Sequence, residues 1–180
     1  MQIELDNLQR LQDIFQKLLS GYHLSSDDFG LYHELQDNES DYEQLFSALG
    51  YNLQSDSRGY YYFLPETQFL SRPTQTMALI IFVLIEWLAD QGKDPVATIS
   101  KSSLDLPQLC QGLFEKHAHM LKEGGVHSID DLEKSFNNYF VKYGFAVISG
   151  AMLRFRPPVH RFLDICAEVG AYIEKKEVDS

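Results

Sequence analysis

Few residues in this chain are of types that do chemistry: two cysteines, six histidines and one short run of arginines. His117 and His119 stand two apart in a stretch that reads as helix, so they point to different faces. No further Cys or His lies near enough to complete a zinc set. Cys110 and Cys166 fall on apolar stripes without a neighbouring base, which suits packing better than nucleophilic work. His23, His33 and His127 read as surface or turn residues. The chain has no phosphate loop, dinucleotide fingerprint, nucleophile elbow or zincin helix. The expectation is therefore a protein with no catalytic residues, no metal site and no cofactor.

The arginines are the stronger signal. Met152-Leu153-Arg154-Phe155-Arg156 alternates with period two, so burying Leu153 and Phe155 would send Arg154 and Arg156 out together, with Arg161 and His160 on the helix that follows. Such a cluster suits contact with a DNA backbone. It also suits pairing with the chain's own carboxylates or with an acidic partner, because 26 acids stand against 15 bases, a formal charge of −11. That balance excludes a protein that coats nucleic acid with a broadly basic surface. The excess is uneven: residues 1–70 hold 12 acids and 3 bases, net −9, whereas residues 71–180 hold 14 and 12, net −2.

The elements that must position these residues follow from periodicity. Helical spacing over residues 5–19 is stopped by Gly21; a brief strand near His23 leads to a helix through Phe29, Tyr32 and Leu35. Ser40 and Glu43 suggest a capping box for a third helix that closes at Gly50. Aromatic strands on either side of Asp56-Ser57-Arg58-Gly59 then make a hairpin. A second series begins with a long apolar helix over residues 74–91. A brief strand over 96–99, a helix over 106–123 and a helix over 128–143 entered from Ser128 come next. A second hairpin precedes a last helix after Pro157-Pro158. The two series share one order, and Leu49-Gly50-Tyr51 and Tyr143-Gly144-Phe145 mark the same point in each. The expected fold is mostly α with small β-hairpins, an α+β chain of tandem winged-helix modules: 1–66, and 67–180 with an appended C-terminal helix. A single helical domain carrying two unrelated hairpins is the plainer alternative.

In a DNA-reading winged helix the third helix enters the major groove and presents Arg, Lys, Asn or Gln. The first such helix here carries Asp41 and Glu43 and no Lys or Arg; the second sets Asp130, Asp131 and Glu133 against Lys134 and Lys142. Neither suits base reading. The apolar surplus points instead to protein contact: Tyr60, Tyr61 and Tyr62 put aromatics on both faces of one strand. Residues 77–85 are apolar nearly all round, which suits an internal core or a subunit interface but is about half a bilayer span. The start of the chain is acidic and lacks an export signal, and two cysteines are too few for a disulfide scaffold. A cytoplasmic protein with no membrane partner is expected.

With these features the chain resembles the MukE-like subunits of bacterial condensins, most closely the MksE type. The resemblance is carried by Leu18-Leu19-Ser20-Gly21-Tyr22-His23-Leu24, Leu31-Tyr32, Tyr42-Glu43-Gln44-Leu45-Phe46, and Leu49-Gly50-Tyr51-Asn52-Leu53 running into Gly59-Tyr60-Tyr61-Tyr62-Phe63-Leu64. Leu70-Ser71-Arg72 and the hairpin before Arg154 and Arg156 extend it into the second half. The resemblance implies a nucleoid-associated, non-catalytic subunit that pairs with itself and binds a kleisin of the MksF type. Through that kleisin it would meet an SMC-type ATPase of the MksB kind and help hold DNA, in chromosome organisation or plasmid defence. DNA would be bound weakly, or only within the complex. MukE has a long C-terminal extension and this chain ends soon after Glu174-Lys175-Lys176, so contacts made by that extension do not carry over. The main rival is a free-standing winged-helix transcription regulator.

Overall fold

The structure is a computed structural model that describes residues 8–65 and 71–178. The fold is α+β and mostly helical, with two small antiparallel sheets of three strands each among the described residues. The chain divides into two compact units. The first takes Met1–Phe69 with the short strips Lys142–Phe145 and Arg156–Pro158; the second takes Leu70–Val141, Ala146–Phe155 and Val159–Ser180.

In the first unit, α1 (Leu11–Leu19) buries Ile14 and Leu18, one turn apart, and ends where Gly21 turns the chain at φ +83°. The two-residue strand β1 (Leu24–Ser25) precedes α2 (Phe29–Asp37), which is followed almost at once by α3 (Glu39–Ala48). The expected capping box does not form. Because α2 runs to Asp37, α3 already begins at Glu39, and Asn38 sends its side-chain amide back to the Glu34 carbonyl. Ser40 lies within the helix and accepts from Gln44. β2 (Asn52–Asp56) and β3 (Tyr60–Leu64) form the hairpin, with Asn52 opposite Leu64 and Asp56 opposite Tyr60. β1 pairs with the other edge of β3, giving the order β1-β3-β2. Between sheet and helices lie Ile14, Leu18, Leu35, Tyr42, Phe46 and Tyr61, with Phe15 placing its ring 5.6 Å from Phe46 and 5.3 Å from Tyr51.

In the second unit, α4 (Arg72–Asp90) is capped by Ser71, whose hydroxyl accepts from the Thr74 N–H at 3.3 Å. Its all-round apolar character is used internally: Ile80, Ile81, Val83, Leu84 and Leu88 are wholly buried, and α4 packs on α5 (Pro95–Lys101), α6 (Leu106–Glu123) and α8 (His160–Val178). By length and composition alone α4 could cross a membrane; in this unit it is the core helix.

The strand expected over 96–99 is helical instead. Asp94 accepts from the Ala97 N–H at 2.9 Å and Pro95 fixes the first turn, a local start signal that outweighs the β-branched residues after it. The short strand falls later, as β4 (Ser103–Asp105). Ser128 caps α7 (Ile129–Ser135) by accepting from Asp131, and the chain then winds as a π-helix over Phe136–Val141. The single α-helix expected over 128–143 is thus two segments; the wider winding stacks the buried Phe136 and Phe140 at 5.1 Å. β5 (Ala146–Ser149) and β6 (Met152–Phe155) form the second hairpin, and β4 pairs with β6, giving β4-β6-β5.

Candidate interaction surfaces

The three tyrosines of β3 divide by face, as a strand requires. Tyr61 is 4 % exposed, and its hydroxyl donates to Glu39 at 3.0 Å. Burial, reinforced by that bond to a carboxylate, pushes its phenol well above the ordinary tyrosine value. Tyr60 is 1 % exposed and donates to Asp56 at 2.8 Å. Arg58 grips the same carboxylate at 2.8 Å, and this bond holds the Asp56 carboxyl well below the usual range. Tyr62 is half-buried; its ring stacks on His23 at 5.2 Å, and the His23 ring lies 4.4 Å from Phe145. The aromatic surplus that suggested a second polypeptide is therefore largely taken up inside the first unit. The strand itself buries Tyr60 and Tyr61 and leaves Tyr62 partly at the surface.

The arginines are also separated. Arg154 is exposed on β6, between Val147 and Ser103, while Leu153 and Phe155 are buried as the alternation requires. Arg156 lies just past the strand end, where its N–H donates to the Phe145 carbonyl at 2.8 Å, and its side chain turns inward. It is 6 % exposed. Its guanidinium meets Asp27 at 3.2 Å and Asp28 at 2.5 Å and donates to the Tyr22 hydroxyl, which in turn donates to Asp28 at 2.9 Å. Burial opposes the charge, but the Tyr22 bond and the Asp28 charge outweigh it and raise the pKa of Arg156. The expectation that Arg154 and Arg156 project together thus gives way to one surface arginine and one buried in a carboxylate cluster. Arg161 is half-buried in the first turn of α8. The Asp27-Asp28 pair had no signal in the sequence beyond a helix start, since 128 residues separate Asp28 from Arg156.

On the third helix of the first unit Glu43 is exposed and Asp41 half-exposed, with no base on the helix to offset them. α7 carries Asp130 and Asp131 in its first turn against Lys134 in its last. A feature the sequence reading missed is an apolar groove between α1 and α3, lined by Leu8, Leu11, Phe15, Leu45, Phe46 and Leu49 together with Gln9 and Gln12. Helical spacing marks such leucines as core, and nothing in the period says that Leu49 stays 58 % exposed. Cys110 is buried, and burial pushes its thiol up to about 12, far from a reactive thiolate. Among the described residues no group of three His, Cys, Asp or Glu is placed to hold a metal ion.

Residues 9–167 match the family model for the condensin complex protein MksE. No curated protein matches the chain.

Proposed function

The chain belongs to the MksE family of condensin complex proteins, and from that membership we propose that it is the subunit that binds a kleisin of the MksF type and, through it, joins an SMC-type ATPase of the MksB kind. The chain itself acts as scaffold and as one wall of a DNA-holding compartment, and nucleotide hydrolysis belongs to the ATPase. It works as a homodimer at the nucleoid in the cytoplasm, in chromosome organisation or plasmid defence.

In this reading both halves, 1–66 and 67–180, are winged-helix modules. Each half runs helix, short strand, helix, helix, hairpin, with α5 added in the second, and in each sheet the short strand pairs with the second strand of the hairpin. The observation that carries the reading is the chemistry of the third helices. A base-reading helix needs donors that match base edges and a surface that tolerates phosphates. α3 offers carboxylates and no base there, and α7 sets Asp130 and Asp131 against Lys134. Protein contact is the use left to such modules, and DNA is met locally, by Arg154 and Arg161. Arg156 serves by fixing the end of the hairpin.

The test is co-expression with the kleisin and the ATPase. The expected result is a complex in which the ATPase is retained only when the kleisin is present. Failure of this chain to associate with the kleisin overturns the proposal. Tight, sequence-specific duplex binding by the isolated chain overturns it in favour of a transcription regulator.

A further inference from the structure

Between α1 and α3 the groove described above has a volume of about 450 Å3. Its floor is the buried Leu8 and Phe46, and its rim carries Leu49, 58 % exposed. The apolar stripe continues one turn beyond Phe15 to Leu19, 51 % exposed, so α1 offers about 12 Å of apolar edge from Leu11 to Leu19. An edge of that length matches two turns of a docked helix. Among the described residues its only polar lining is Gln9 and Gln12.

The α3 side of the groove is acidic, with Glu39, Asp41 and Glu43 and no base, whereas the α1 side sets Arg10 and Lys17 against Asp13. Residues 8–65 hold nine acids and three bases; no charged residue among the described ones lines the groove itself. Arg58 holds Asp56, Lys17 lies 4.1 Å over the Tyr22 ring, and Arg10 faces Asp13 at 3.8 Å. On α3, Asp41 stands one turn ahead of Leu45, and the exposed Glu43 belongs to the adjoining depression with Ser47. A second copy of this chain would bring the same acidic surface to its twin, an arrangement that like charges oppose.

The geometry points to this groove as the docking site for an amphipathic, basic helix of a partner polypeptide, with aliphatic residues at i, i+3 and i+4 facing Leu45 and Leu49 and lysine or arginine facing Asp41. The inference rests on the function proposed above, under which that helix belongs to the kleisin.

The test is titration of the purified kleisin into the chain of residues 1–180, at low and at moderate salt, for wild type, Leu49→Lys, Asp41→Lys and, as a control in the second unit, Val96→Lys. Leu49 and Val96 are both exposed, so neither substitution disturbs a core; thermal melts check that all variants fold. Expected are a tenfold or greater loss for Leu49→Lys and Asp41→Lys, no change for Val96→Lys, and a wild-type affinity that falls with salt. Kleisin binding by Leu49→Lys and Asp41→Lys at wild-type strength overturns the groove while leaving the kleisin reading intact. No binding by wild type removes both. A self-association abolished by Leu49→Lys at unchanged kleisin affinity assigns the groove to a second copy. Tighter kleisin binding on removal of residues 1–7, with Leu49→Lys again unchanged, assigns it to the chain's own start. Either result overturns the proposal.

Discussion

The guanidinium of Arg156 lies 2.5 Å from the carboxylate of Asp28, and both side chains are largely withdrawn from water, at 7 % and 16 % exposure. Asp27 and Tyr22 close the cluster. An ion pair so placed contributes little when compared with an apolar substitute, yet removing one partner is costly, because the other charge stays buried without compensation. Arg156→Leu is expected to destabilise the first unit by about 3–5 kcal/mol. Arg154→Leu, at an exposed strand position, is expected to stay within about 0.5 kcal/mol. Urea denaturation of the two variants checks this; a loss under about 1 kcal/mol for Arg156→Leu sinks the account of the cluster.

Gly50 and Gly144 look alike in the sequence, each lying between a helix and an aromatic-led strand, and each has positive φ, +86° and +81°. Their surroundings differ. A Cβ on Gly50 would meet nothing within 4 Å, whereas one on Gly144 would lie 2.5 Å from the His23 carbonyl oxygen and 3.0 Å from the Tyr22 ring. Gly50→Ala is therefore expected to cost about 1–2 kcal/mol, the left-handed backbone alone. Gly144→Ala adds a clash with main chain and is expected to cost about 2–5 kcal/mol. Equal losses in denaturant titrations contradict the argument.

These cases show what is legible in a sequence of this kind. Local signals read well: the stop at Gly21, the start at Ser128 and the alternation that buries Leu153 and Phe155 all rest on neighbours within a few residues. The strand expected over 96–99 failed because a cap and a proline just before it specify a helix start more strongly than Val96, Thr98 and Ile99 specify a strand. What the sequence cannot carry is pairing at long range. Nothing near Arg156 shows that its charge is claimed by residues 27 and 28, and nothing in the aromatic run of β3 shows that His23 will stack on Tyr62 with Phe145 against the His23 ring. The groove beside Leu49 was hidden for the same reason, since helical spacing reports that a residue is apolar but not whether a neighbour reaches it.

Asp56 gives the first hairpin a pH dependence. Its carboxyl is held below the ordinary range first by the Arg58 side chain, with the Arg58 N–H and the Tyr60 hydroxyl adding to it. A folded pKa below the unfolded value of about 3.9 means that the stabilisation is fully present above that value and is lost as pH falls through the folded one. Asp56→Asn should therefore melt below wild type near neutral pH, with the gap closing as pH drops below about 4. Melting curves of both proteins from about pH 2 to about pH 7 provide the check. A gap that stays constant, or widens in acid, assigns the effect to packing rather than to charge.

Arg154 and Arg161 are the residues proposed to meet a DNA backbone, and the rest of the chain sets how that contact must behave. A chain of formal charge −11 repels duplex DNA as a whole, so the isolated protein should bind almost none at moderate salt. Under the proposed function the attractive field would come from the partners in the assembled complex, and each arginine that neutralises one phosphate adds about 0.9 to the steepness with which log affinity falls against log salt. Arg154→Glu combined with Arg161→Glu is then expected to weaken DNA retention by the complex and to flatten that slope by about 2, equally for unrelated sequences, because phosphates carry no base identity. Arg156 is left untouched in this design, since losing it would disturb the fold and mimic a binding defect. A salt series on wild-type and doubly substituted complexes, with kleisin retention measured on the same samples, separates the two causes. An unchanged slope with an intact complex rules these arginines out as the backbone contact. A weakened complex accompanied by kleisin loss shows instead that the two positions serve assembly.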